Sequence, residues 1–129
     1  MTFTLAGQLP SGKNAVKITR KGHRYPNERF VMWREESIKQ LNPQVSTYAR
    51  EGACLPLQST ITIECEYTPG DRRTRDVPGM LDALLHLIVK AGLVVDDGQV
   101  WGVTWRREEM DRNKPGLTFT ISTQEEQAI

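Results

Sequence analysis

Polar and apolar residues alternate along TFTLAG at residues 2–7, which puts Phe3 and Leu5 on one face of a first strand. LPSGKN breaks the alternation, and AVKITRKGHRYP then reads as a basic strand or a hairpin turning at Lys21 and Gly22. Asn27 suits a helix cap ahead of ERFVMWREESIKQL, where Phe30, Trp33, Ile38 and Leu41 fall near one side. Pro43 predicts the end of that helix, with QVSTYAREG a separate short one. STITIECEYT is the clearest strand: Ile61, Ile63, Cys65 and Tyr67 face inward, and Thr60, Thr62, Glu64 and Glu66 face out. PGDRRTRD is an exposed connection, and a second helix starts near Pro78 and ends before Gly92. QVWGVTWRREEM and GLTFTIST finish the chain as two strands, paired as a hairpin across DRNKPG. This order predicts an α+β fold, a two-layer sandwich of a mixed sheet and two main helices, in one domain over residues 1–129.

Composition adds limits. A chain of 129 residues buries roughly two-thirds of its unfolded surface without staples. A hydrophobic fraction of 38% and a charged fraction of 26% belong to a globular chain, not a disordered one. Cys54 and Cys65 lack C-x-x-C spacing and have too few histidines around them for zinc, so they read as free thiols of a reducing cytosol. No segment has a membrane span or a secretion signal, so a cytoplasmic location is expected, with neither a membrane partner nor a small-molecule cofactor. Net charge is only +1, but its distribution is uneven. Residues 1–27 carry no acid, and Lys13, Lys17, Arg20, Lys21 and Arg24 there are basic. Arg72, Arg73 and Arg75 form a second cluster, while acids gather at Asp96, Asp97, Glu108, Glu109 and Asp111. Such a chain presents either a basic face to a polyanion or ordinary solvated charges.

TRDVPGMLDALLHLIVKAGLVVDD, residues 74–97, concentrates the candidate chemistry. The helix between Met80 and Ala91 is apolar over most of its surface, interrupted by Asp82, His86 and Lys90 in one narrow line. That line is either solvent exposure or the wall of a charged site. Asp76 is either a helix cap or a ligand, and Asp97 with Gly98 is either a turn or part of an acidic pair. If GLVVDD folds back along the helix, Asp96 or Asp97 approaches Asp76 and Asp82, and such a cluster calls for a cation. Oxygen ligands of this kind suit Mg²⁺ or Mn²⁺.

The same segment resembles the signature of the RusA family, homodimeric Holliday junction resolvases of bacteria and their prophages. The family pattern runs R-D-x-D-N-x-x-K, a helix, A-G, a short spacer and D-D-x-x-V. Arg75, Asp76, Gly92, Asp96, Asp97 and Val100 fall on matching positions, and an early G-x-x-P-S-G-K-N resembles the family's glycine, proline and lysine segment. The chain departs from the pattern at Pro78, where the family has a second Asp, at Gly79 for Asn, at Asp82 for Lys and at His86 for Asp.

The resemblance implies a Mg²⁺-dependent (or Mn²⁺-dependent) endonuclease cutting opposed strands of four-way DNA junctions as a symmetric dimer. Under that reading Asp76, Asp82 and Asp97 hold the ion, Asp96 or His86 assists, and a metal-bound water attacks phosphorus. Lys13, Arg20, Lys21, Arg24, Arg72, Arg73, Arg75 and Lys90 are the candidate phosphate contacts. Trp101 and Trp105 either stack on bases or pack in the protein. Two alternatives stand beside it: a branched-DNA-binding protein without cleavage, and a plain α+β interaction domain.

Overall fold

The computed structural model describes residues 1–10, 16–18, 20–22, 24–26 and 28–123. In chain order its elements are strands β1 (Thr2–Ala6), β2 (Val16–Ile18) and β3 (Arg24–Pro26), helix α1 (Glu28–Arg50), strand β4 (Ile61–Thr68), helix α2 (Val77–Lys90), and strands β5 (Val100–Arg107) and β6 (Gly116–Thr123). The main sheet has the order β1-β6-β4-β5, mixed in direction, and β2 with β3 makes a separate antiparallel hairpin. The expected hairpin turn around Lys21 and Gly22 falls where it was read, between β2 and β3. Asn27, the expected cap of α1, lies outside the described residues.

Alternation along β4 decides which face is covered. Ile61, Ile63, Cys65 and Tyr67 are buried while Glu64 and Glu66 are exposed. Register extends each buried position across the sheet: Phe3, Phe119, Cys65 and Trp105 form one row, and Leu5, Leu117, Tyr67 and Arg107 the next. Met80, Leu84, Leu87 and Ile88 of α2, with Leu41 of α1, close over this face in one core cluster. The opposite face carries Thr2, Thr4, Thr118, Thr120 and Glu64, so the architecture is the α+β two-layer sandwich with a mixed sheet and two helices.

The last two strands do not pair with each other. β4 lies between them, parallel to β5 and antiparallel to β6. A parallel neighbour needs a long crossover, which α2 provides, and β6 then takes the remaining edge of β4. Residues 108–115 carry the chain around the end of β4: Glu108 N–H donates to the Tyr67 carbonyl at 2.7 Å, and Asp111 N–H to the Pro69 carbonyl at 2.9 Å. The turn residues in DRNKPG signal a change of direction but not which strand the chain returns to.

Pro43 does not end α1 either, because the helix runs through it to Arg50. An interior proline costs about 3 kcal/mol through its missing N–H and its clash with the preceding turn. Contacts of the second half of the helix offset this. Gln40, Gln44 and Tyr48, spaced four apart on one face, line up along the free edge of β1 like a substitute strand. The Gln44 amide accepts Thr4 N–H at 2.9 Å and donates to the Thr4 carbonyl at 2.8 Å. Gln40 does the same for Ala6 at 2.7 and 3.2 Å, and the Tyr48 hydroxyl for Thr2 at 2.8 and 2.9 Å.

α2 begins with Pro78 in its first turn and ends at Ala91 in a Schellman motif. Gly92 takes a φ of +78°, its N–H donates to the Val89 carbonyl at 3.1 Å, and Leu93 N–H donates to the Ile88 carbonyl at 3.0 Å. Leu93 and Val94 then enter the core, fully buried. Among the described residues no helix is long and apolar enough to cross a membrane.

Burial pushes the Cys65 thiol up to about 12, while Cys54 is exposed. A thiol reagent at pH 8 therefore titrates one fast thiol in the native protein, lost in Cys54→Ser, and reaches Cys65 only on unfolding. Gln44→Ala removes both bonds to Thr4 and lowers the unfolding free energy by about 1 kcal/mol in urea melts. An unchanged midpoint would show that water replaces the amide at no cost.

Candidate functional site

The loop after β4 is held from three sides. The Gln8 amide accepts Gly70 N–H at 2.9 Å and donates to the Tyr67 hydroxyl. Asp71 accepts Arg73 N–H at 3.0 Å and a two-pronged bond from the Arg75 guanidinium at 2.6 and 2.9 Å. That guanidinium holds the Asp71 carboxyl down to about 2, and Asp71 in turn raises the Arg75 pKa. Arg75 is thus committed inside the protein, with its side chain only 16% exposed, and its fork is not free for phosphate. It positions the loop.

Arg72 and Arg73 on this loop and Arg107 at the end of β5 are exposed and form no salt bridge among the described residues. Together with Tyr67, Pro69, Arg75, Val77, Met80 and Trp105, Arg73 and Arg107 line a cavity of about 80 Å³. The Trp105 indole N–H is buried and meets no acceptor among the described residues. Leaving such a donor unsatisfied costs about 1–3 kcal/mol. Asp76 stands at the start of α2 beside this arginine end, half-buried, and makes no side-chain capping bond. Asp76 is therefore the N-cap of α2 by position, but its carboxylate makes no capping bond among the described residues.

Asp96 and Asp97 stand at the other end of α2. GLVVDD does not fold back along the helix: Val94 bridges to Leu57, and the chain enters a 3-10 turn at Asp97–Gln99 that leads into β5. The Gln99 amide ties this turn down, accepting Val95 N–H and Asp96 N–H at 2.9 Å each and donating to the Leu57 and Ser59 carbonyls at 2.8 Å each. Both aspartates are exposed. The 14 residues of α2 place roughly 20 Å between them and Asp76.

Asp82 lies six residues beyond Asp76, which turns it about 240° around the helix axis, away from the N-terminal loop. Asp82, His86 and Lys90 are all exposed, and the line they form borders α1. His86 packs edge-on against Phe30 at 5.3 Å between ring centroids, and Arg34 Nη1 lies 3.2 Å from its Nε2. The Arg34 guanidinium takes the Nε2 side of the ring and repels a metal ion there. Among the described residues no three His, Cys, Asp or Glu side chains gather to hold a metal. The set Asp76, Asp82, Asp97 and His86 does not fit a divalent cation within one chain.

The remaining candidate phosphate contacts divide by position. Lys13 lies outside the described residues, and Arg24 falls in β3 with its side chain outside the description. Arg20 and Lys21 are exposed at the turn between β2 and β3. Lys90 is exposed at the opposite end of α2, beyond the arginines. The sequence reading missed Arg107, Asp71 and the orphan Trp105 N–H. The register that seats Trp105 and Arg107 beside Tyr67 exists only once β5 pairs with β4. The chain matches no protein-family model and no curated protein.

Burial against α1 lowers the His86 pKa below its ordinary 6.5, helped by Arg34 and Lys90 and opposed by Asp82. The folded state thus binds fewer protons than the unfolded one just below pH 6.5, so this contribution is present above that pH and lost as pH falls. An NMR titration is expected to give a His86 midpoint below 6.5 that rises in Arg34→Gln. A midpoint unmoved by that substitution would contradict the assigned contact.

Proposed function

We propose that this protein is a RusA-like, structure-specific endodeoxyribonuclease that acts on four-way DNA junctions as a symmetric dimer. The observation that carries the reading is the arginine end: Arg73 and Arg107 line a cavity, Arg72 is exposed on the same loop, and among the described residues none of the three forms a salt bridge and Asp76 makes no side-chain capping bond. Guanidinium groups match phosphate oxygens geometrically and grip a backbone without reading its bases.

Two-fold symmetry matters because one chain separates its acidic groups. Among the described residues β5 has no partner on its outer edge, and it exposes Trp101 and Val103 at 73% and 37%. Antiparallel pairing of two such edges runs the arginine end of one protomer past the Asp96 and Asp97 turn of the other. A divalent cation, Mg²⁺ or Mn²⁺, supplies the activated water for phosphodiester hydrolysis in proteins of this resemblance. The residues of one chain supply backbone binding, orientation and a carboxylate at Asp76.

A second reading, binding of branched DNA without cleavage, draws on Pro78 standing where the family has a carboxylate and on Asp82 facing away from the loop. One experiment separates them. Labelled four-way junction and linear duplex of equal length are titrated with protein across a salt series, then incubated with Mg²⁺ or Mn²⁺. Junction preference with paired nicks that vanish in Asp76→Asn supports the nuclease, and preference without nicks supports the binding protein. Arg72→Gln and Arg73→Gln each lower the salt slope by about 1. Equal affinity for junction and duplex contradicts the junction reading, and no binding to either leaves only the plain interaction domain.

A further inference from the structure

The outer edge of β5 has no partner strand among the described residues, so its outward N–H and C=O groups are a template for another strand. Apolar surface borders this edge on two elements. On the strand itself Trp101 and Val103 are exposed. On α2, Ala83 and His86 turn toward Phe30 of α1, which leaves Leu81 and Leu85, apolar and half-buried, on the opposite flank. That flank lies on the β5 side, where Val77 and Met80 of the same helix share a cavity wall with Trp105 and Arg107. Charge is asymmetric along the strand. Asp97 stands exposed ahead of β5 and Arg107 exposed at its end, and neither forms a salt bridge among the described residues.

We infer that this edge seats a second copy of the chain, β5 antiparallel to β5, on a two-fold axis through Val103. The charges select that direction: an antiparallel copy brings Arg107 beside the turn that holds Asp97, whereas a parallel copy sets like charges side by side. Backbone geometry selects the register. Opposed residues of an antiparallel pair share a face and aim their N–H and C=O groups both across the pair or both away. A strand therefore meets its own copy only at positions that are equal or an even number apart. Val103 sits mid-strand, exposed, on the helix side of the sheet opposite the buried Ile63, so it faces its own copy, and Gly102 faces Thr104. Such a register keeps both helical layers on one side of the joined sheet, with the Leu81 and Leu85 flanks facing each other across the axis. The interface rests on the junction reading for the use of the dimer, but not for its formation.

Sedimentation equilibrium of the full chain without DNA is expected to give twice the chain mass, falling on dilution. Val103→Lys, a surface change that sets two like charges on the axis, is expected to give a monomer with the fold retained by circular dichroism. Val103→Cys in a Cys54→Ser background should form a disulfide between copies on mild oxidation. Thr104→Cys should not, because its two copies lie diagonally, more than about 7 Å apart. Asp97→Arg and Arg107→Asp should each weaken dimerisation about tenfold. Mixing the two variants should restore it, since each end of the mixed pair again joins opposite charges. A monomer at the highest concentration reached, a dimer that Val103→Lys leaves intact or Val103→Cys does not cross-link, or charge reversals that mixing does not rescue each overturn the interface, even where junction binding persists. A dimer with the expected responses alongside equal affinity for junction and duplex sinks the junction reading and leaves the interface standing.

Discussion

The parallel pairing of β4 with β5 is the constraint from which the rest of the molecule follows. Two parallel neighbours force the chain to travel back the full length of the sheet between them, and α2 makes that journey. The loop that leaves β4 and the turn that enters β5 must then lie at opposite ends. One holds Arg72, Arg73 and Asp76, and the other Asp96 and Asp97. Pro78 starts the return and the Gly92 Schellman turn stops it, so the span of the crossover is set by local chemistry at both ends. The separation of Asp76 and the arginine loop from the Asp96 and Asp97 turn is a topological result.

The two outer strands are treated differently. β1 would present unpaired N–H and C=O groups, a liability in any sheet, but Gln40, Gln44 and Tyr48 satisfy them from α1. That side-chain ladder also explains why α1 persists past Pro43, since ending there would strip two of its three rungs. β5 has no such cover among the described residues. Its edge exposes Trp101 and Val103, and the ladder of β4 and β5 shifts register between Ile61 and Thr62, which puts Trp101 in a bulge. One edge is closed by α1, and the other is open among the described residues.

Much of this was legible in the sequence. Period-two alternation identified β4 and its buried face, and the apolar run between Pro78 and Gly92 identified α2 and both its ends. The turn around Lys21 and Gly22 was readable because glycine marks it. Strand order was not, since alternation says which face of β5 and β6 is buried but not which neighbour each joins. Pro43 misled because its penalty is local, whereas the bonds that outweigh it reach residues about forty positions away. The candidate site divides the same way. Asp76 and the arginine cluster were visible as residues, but the proposed convergence of Asp76, Asp82 and Asp97 assumed that the chain after α2 folds back, and burial of Leu93 and Val94 takes it elsewhere. Arg75 looked like a phosphate ligand until Asp71, four residues earlier, claimed it.

The central claim is that one chain keeps its two acidic groups apart, and a spin-label distance measurement tests it most directly. Labels placed at Asp76→Cys and Asp97→Cys in a Cys54→Ser background, diluted with unlabelled protein so that only pairs within a chain contribute, should report a separation of roughly 20 Å or more. A distribution centred below about 10 Å, half the rise of a 14-residue helix, would contradict the account and return both carboxylates to a single site.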